Sequence, residues 1–158
     1  MRATTIGLLA VCLAGCTTQA PRPKGPVVGV EPFTIDRPDP NEAAKSAAIA
    51  NQAAAWLIGA LREEGVEAYI VPEGQPGYGD VRISGAITEL EFARDDRFGI
   101  LLTIRDSAGH ELAEVAAGRS SLRGMERAMK VTILEDVMHS QQFRHAVFAM
   151  PAGIAAKP

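Results

Sequence analysis

The feature that most constrains the fold is a long alanine-rich helical pattern set between two short strand patterns. From Asn41 to about Glu64, apolar residues recur at steps of three and four, which predicts an amphipathic helix whose buried face consists of Ala43, Ala47, Ala50, Ala54, Leu57, Ile58 and Leu61. Asn41 is the predicted N-cap and Gly65 the predicted stop. Strand patterns at 27–33 and 66–72 flank this helix. A helix of this length between strands predicts a right-handed crossover that joins parallel strands.

After residue 80 the apolar period changes from that of a helix to that of a strand. Alternating residues predict three further strands, at 81–92, 98–104 and 112–117, with turns at 94–97 and 106–109. The apolar phase shifts after Glu89, which predicts a β-bulge at Thr88–Glu89. Because the turns are short, these three strands are expected to form an antiparallel meander.

A second helical pattern closes the chain. It covers about Met125 to His139, with one face formed by Met125, Met129, Ile133 and Val137. Ser140 is the predicted cap of a short continuation that contains Phe143, Val147 and Phe148. The fold class expected from these patterns is α+β: a mixed sheet of about five strands in the order β-α-β-β-β-β-α, with two helices packed on one face.

The amino terminus has the pattern of a secretory leader that ends at a cysteine. Arg2 supplies a positive charge, residues 6–13 form a short apolar run, and Ala14 and Gly15 provide small residues before Cys16. This segment resembles the lipobox of bacterial lipoproteins. The resemblance implies that residues 1–15 are removed as a signal peptide and that Cys16 carries lipid. The alternatives are an uncleaved apolar terminus and an ordinary secretory leader.

This interpretation divides the chain and gives it a location. A proline-rich tether at 16–26 would follow the leader, then one periplasmic α+β domain at 27–150 and a flexible tail at 151–158. Residue 17 is threonine; an aspartate there is the retention signal for the inner membrane in Gram-negative lipoproteins. We therefore expect attachment to the periplasmic face of the outer membrane. The only cysteines are Cys12, which would leave with the leader, and Cys16, which would carry lipid. The mature domain would therefore have no disulfide, and a packed core must stabilise it.

The sequence argues against several function classes. The net charge is −3 with no basic block, which argues against nucleic acid as a partner. Of the three histidines, His110 lies in a predicted turn, and His139 and His145 are six residues apart, which places them on different faces of a helix. No metal site is therefore predicted. Asp36–Asn41 does not have the spacing of a calcium loop, and Gly74–Gly79 does not have the pattern of a phosphate-binding loop. Asp95–Asp96 is not a catalytic carboxylate pair, and no serine lies in a nucleophile elbow. We predict no catalytic, cofactor-binding or metal residues, and hence no enzyme.

Several segments resemble a broad superfamily of envelope proteins. They are residues 30–33 (VEPF), 65–69 (GVEAY), 83–91 (ISGAITELE) and 106–112 (DSAGHEL). The superfamily includes the TolB amino-terminal domain, the curli-secretion lipoprotein and lipoprotein activators of penicillin-binding proteins. The chain lacks room for the long hairpins that a pore of the curli type needs.

This resemblance, together with the predicted anchor, leads to three functional hypotheses. The first is a non-enzymatic, membrane-anchored accessory module that binds a protein partner in a cell-envelope complex. The second is a subunit of a secretion or transport assembly, which includes a homo-oligomer. The third is an envelope hydrolase with an unfamiliar site.

Overall fold

A computed structural model describes residues 25–36, 40–72, 79–92 and 94–149. Their strands are β1 (Val27–Val30), β2 (Thr34–Ile35), β3 (Glu67–Ile70), β4 (Val81–Glu91), β5 (Asp96–Asp106) and β6 (Glu111–Ser121). The helices are α1 (Ala43–Glu63), α2 (Met125–Val131) and α3 (Gln141–Phe148), with a 3-10 turn at Pro40–Glu42 and a π-helical segment at Thr132–Val137. The predicted leader, Cys16, most of the tether and the tail lie outside the described residues.

The mixed sheet has the order β3-β1-β4-β5-β6, and β2 pairs with β4 beyond the end of β1. β1 is parallel to β3 and β4, while β4, β5 and β6 form the predicted antiparallel meander. The α+β class is therefore confirmed, with a sixth, two-residue strand. The predicted loop after residue 33 was wrong at Thr34–Ile35, because these residues pair in parallel with Ala86 and Ile87.

The helix α1 begins and ends close to its predicted limits. Gly65 has a φ of +81°, and the amide of Val66 donates to the carbonyl of Leu61 at 3.0 Å. The amide of Gly65 donates to the carbonyl of Arg62 at 3.0 Å, which completes a Schellman motif. At the other end the N-cap is Glu42 rather than Asn41, because a 3-10 turn precedes the helix.

The buried face of α1 differs from the predicted face in its first turns. Ala43 and Ala47 are exposed, whereas Ser46, Ile49 and Ala53 are buried. From Ala54 onward the predicted and observed faces agree, and Trp56 packs at the margin of the core. Since alanine spacing fits several faces of a helix equally well, only the larger residues could fix the phase.

All three helices pack on one side of the sheet. α1 contacts β3 and β2, the segment from α2 to Val137 contacts β5 and β6, and α3 contacts β6. The second helix covers the predicted range but widens to a π-helix at Thr132, whose hydroxyl donates to the carbonyl of Ala128 at 2.9 Å. Such a bond to the preceding turn bends or opens a helix. Ser140 caps α3 as predicted, and its hydroxyl accepts from the amide of Phe143 at 3.1 Å.

One glycine in β4 allows a core side chain to pack directly on the sheet. A Cβ at Gly85 would lie 2.6 Å from Cδ1 of Phe33 and 2.9 Å from Cδ2 of Leu102. The buried Phe33 ring therefore packs directly on the backbone of β4, in the gap between β1 and β2. The shift between Ile87 and Glu89 in the β4–β5 register is the predicted bulge.

Candidate functional site

The residues that the sequence raised as possible sites do not converge in the described part of the chain. His110 lies in the β5–β6 turn, with its Nδ1 3.0 Å from Oδ2 of Asp106. Asp95 precedes β5 and Asp96 begins it. Among the described residues, no group of three or more histidine, cysteine, aspartate or glutamate side chains is placed to hold a metal ion. Asp39, Gly74 and Gly77 lie outside those residues.

His139 and His145 border the same groove, which the sequence interpretation did not predict. Ser140 adopts an extended conformation with ψ of 137°, so the two histidines belong to different helices. Both line an open groove of about 560 Å³, together with Gln141, Arg144, Phe148 and Ala149. The guanidinium of Arg144 lies 5.1 Å from the centre of the Phe148 ring. His139 Nδ1 is 3.0 Å from the carbonyl oxygen of Glu135.

A second accessible surface is the face of β4, β5 and β6 opposite the helices. Its cross-strand rows are Ser84–Thr103–Glu114 and Ala86–Leu101–Ala116, followed by Gly99–Gly118. We call these residues the open face. Most of its side chains are small and half-buried or exposed, whereas their neighbours along each strand are core residues. On the β1–β3 side the same face is covered, because Tyr69 and Val71 pack over Gly29.

The free edge of β6 borders the open face. β6 pairs with β5 on one side and is the last strand of the described sheet on the other. It is 11 residues long, and most of its side chains are exposed. The backbone groups on an unpaired edge are a template for another strand. This edge is the most extended set of unpaired main-chain groups that the described fold offers, and we take it as the candidate functional site.

The opposite edge of the sheet offers much less. β3 has four residues, and Pro72 follows its last residue, Ile70, by two positions. Proline and short length are two of the ways in which proteins protect a sheet edge. The difference identifies β6 as the accessible edge.

Sequence reasoning missed much of this edge. The expected strand stopped at residue 117 and a polar connection followed, but β6 continues to Ser121 because it pairs with β5 as far as Asp96. Residue 118 is glycine and residues 120 and 121 are serines, which are not typical strand residues, so strand propensity does not predict a strand here. The length of β5 was the available signal for the end of β6, because the two strands of a hairpin usually match in length.

A bidentate ion pair joins β6 to the helical layer. Nε and Nη2 of Arg119 each donate to a carboxylate oxygen of Asp136 at 2.8 Å. The hydrogen bond from Arg119 lowers the pKa of Asp136, and the same bond raises the pKa of Arg119. At the other end of the hairpin, the hydrogen bond with His110 lowers the pKa of Asp106. The carboxylate of Asp106 also accepts from the amides of Ala108 and His110 at 2.9 Å.

Membrane crossing by a helix has no support in the part of the chain that the structure describes. There, no helix combines the length and the apolar character that crossing a bilayer requires. The predicted membrane attachment rests on Cys16, which lies outside that part.

Sequence comparison finds no matching protein-family model and no matching relative among curated proteins. Structure comparison finds PelC from Paraburkholderia phytofirmans, solved as a dodecamer, with a TM-score of 0.58 and 17% identity over 71% of this chain and 84% of PelC. Lipoprotein GNA1162 from Neisseria meningitidis gives a TM-score of 0.43 with 18% identity over 73% of this chain and 98% of its own. At these identities the PelC likeness shows a shared fold. The described domain thus has a fold that also occurs in a bacterial protein that assembles from twelve copies.

Proposed function

We propose that this protein is a non-enzymatic lipoprotein, anchored through Cys16 to the periplasmic face of the outer membrane. Its domain acts as an accessory binding module of a cell-envelope complex. The observation that carries the proposal is the free edge of β6, which offers unpaired main-chain groups over much of its 11 residues. Strand addition at such an edge is a common mode of peptide recognition.

The composition of β6 supports this role. Its central residues are Val115, Ala116, Ala117 and Gly118, which leave room for a neighbouring strand. The carboxylate of Asp136 holds Arg119, so the side chain of this arginine is fixed toward the helical layer. The exposed Glu114 is the other charged residue between Ala113 and Ser121.

The binding role is tested by crosslinking from the edge in cells. A photoreactive amino acid at Ala116, which is exposed on β6, should form adducts with another polypeptide. The same amino acid at Ala55, which is exposed on α1, should form far fewer. Equal yields from both positions, or no adduct from Ala116, would contradict docking at β6.

The anchor is tested separately. Cys16→Ser removes the predicted acceptor of lipid, so the variant should remain unprocessed or leave the membrane fraction. The measurement is the mass of the protein and its distribution between membrane and soluble fractions. A variant that is still cleaved and fully membrane-bound would exclude lipid attachment at this residue.

A second candidate function is a subunit of an envelope secretion or transport assembly built from several copies. The dodecameric state of PelC, which shares the fold, favours this candidate. The mass of the full chain in a mild detergent discriminates between the two. A large closed assembly supports the second function, whereas a monomer at every concentration argues against it.

A further inference from the structure

We infer that the strand bound at β6 is β6 of a second copy, paired antiparallel about Ala117. This inference rests on the proposed function of the β6 edge and names its occupant. Three features of the edge carry it: the limited edge protection past Leu112, the arrangement of charges along the strand, and the mismatch between the two edges of the sheet.

The first feature is that the central part of β6 has few of the devices that usually protect an edge. A bulge interrupts its pairing with β5 between Ile104 and Arg105, at Leu112. Past this bulge, the remaining residues from Ala113 to Ser121 pair continuously, without proline or lysine. Bulges, prolines and lysines are the usual protection against strand addition. This stretch is therefore free to pair.

The second feature is self-complementarity. A two-fold axis through Glu114 or Arg119 would place two like charges directly opposite each other, which is destabilising. An axis through Ala117 pairs every residue of the regular stretch, which is Ala113 to Ser121. It places Glu114 opposite Ser120, Val115 opposite Arg119 and Ala113 opposite Ser121. No like charges meet in this register, and Ala117 meets itself.

The third feature is the mismatch between the two sheet edges. A second copy could also offer β3, but β3 has four residues and cannot satisfy the regular stretch of β6. Pairing of β6 with β3 would also be head-to-tail and could continue without closing. Pairing of β6 with itself uses one surface twice and closes as a dimer. The edge lengths therefore favour the two-fold arrangement.

The register is tested with two matched alanines. Ala113 and Ala117 are both half-buried on the helix-covered side of β6. Directly paired Cα atoms lie about 4.5 or 5.5 Å apart, which a disulfide can span. In Ala117→Cys the two cysteines should be opposite and form a covalent dimer under mild oxidation. In Ala113→Cys they would be about 26 Å apart, eight residues along the strand, and should form none.

Both variants are made in the full chain and compared with the parent on non-reducing gels, so that any bridge through Cys16 would appear in all three. Most of the Ala117→Cys protein is expected as a dimer. Equal dimer yields from the two variants, or a monomeric Ala117→Cys protein, would overturn the register.

Photocrosslinking from Ala116 separates this inference from the proposed function. An adduct of twice the chain mass that contains only this protein supports the second copy. Adducts that contain only other polypeptides would overturn the second copy but leave docking at β6 intact. The absence of any adduct would contradict both.

Discussion

The two faces of the β4–β5–β6 meander have the same strands but different environments. Leu102 and its neighbours on one face are covered by helices, and Leu102 is 1% exposed. Leu101, one residue earlier, is only half-buried on the open face. Since side chains alternate along a strand, adjacent leucines sample the two environments on the same backbone. The comparison shows that, for two leucines of one strand, the cover of helices decides which side chain is removed from water.

The largest effect is expected from truncation of these adjacent leucines. Leu102→Ala should lower the free energy of unfolding by about 3 kcal/mol, because it leaves a cavity in the core. Leu101→Ala should cost about 1 kcal/mol or less, since part of its side chain already contacts water. Urea denaturation of both variants measures the difference. Equal losses would mean that the open face is covered in the native protein.

Two glycines on opposite faces give the next effect. Gly85→Ala should cost about 1–3 kcal/mol, because its Cβ would meet Phe33 and Leu102 below 3.0 Å. At Gly118 a Cβ would have its nearest contacts at 3.4 Å, so Gly118→Ala should be neutral or stabilise by about 0.5 kcal/mol. Thermal unfolding of the two variants provides the test. A loss at Gly118 as large as that at Gly85 would contradict the difference between the faces.

The smallest effect concerns the ion pair that joins β6 to the helical layer. The pKa of Asp136 is lowered in the folded state, so its stabilising contribution is present above its ordinary value of 3.8. This contribution is lost as the pH falls through the lowered value. Asp136→Asn should therefore be slightly less stable than the parent at pH 7. The difference should shrink as the pH falls below 3.8 and vanish once the pH is below the lowered pKa.

Unfolding midpoints of the parent and Asp136→Asn across this pH range give the measurement. Glu126→Gln serves as the control, since this glutamate is exposed in the first turn of α2 and its substitution leaves Asp136 unchanged. A difference for Asp136→Asn that does not change with pH would show that the bond to Arg119 does not stabilise the fold.

Some parts of the architecture could be predicted because their signals are local. Gly65 ends α1, Ser140 caps α3 and the bulge follows Ile87, as expected. Each depends on the conformational preference or hydrogen bonding of a few neighbouring residues. The α+β class followed from the change of apolar period, which is also local.

Other parts required contacts between distant residues. The inner face of α1 near Ser46, the pairing of Thr34–Ile35 with β4 and the last four residues of β6 were predicted incorrectly or missed. In each case the local segment is short or consists of small or polar residues, and it is compatible with more than one structure. The sheet and the helical layer selected one of these structures.

The candidate site shows the same division. The predicted lipid attachment at Cys16 is a property of a short segment and needs no fold to be recognised. The β6 edge exists only because β5 supplies a full-length partner on one side and the chain turns away into α2 instead of adding another strand. The sequence by itself thus determined the class of fold through local periodicity, and it predicts the anchor through the spacing of residues before Cys16. Only the tertiary structure decided which strand edge remained unpaired, because that depends on the order of strands in the sheet.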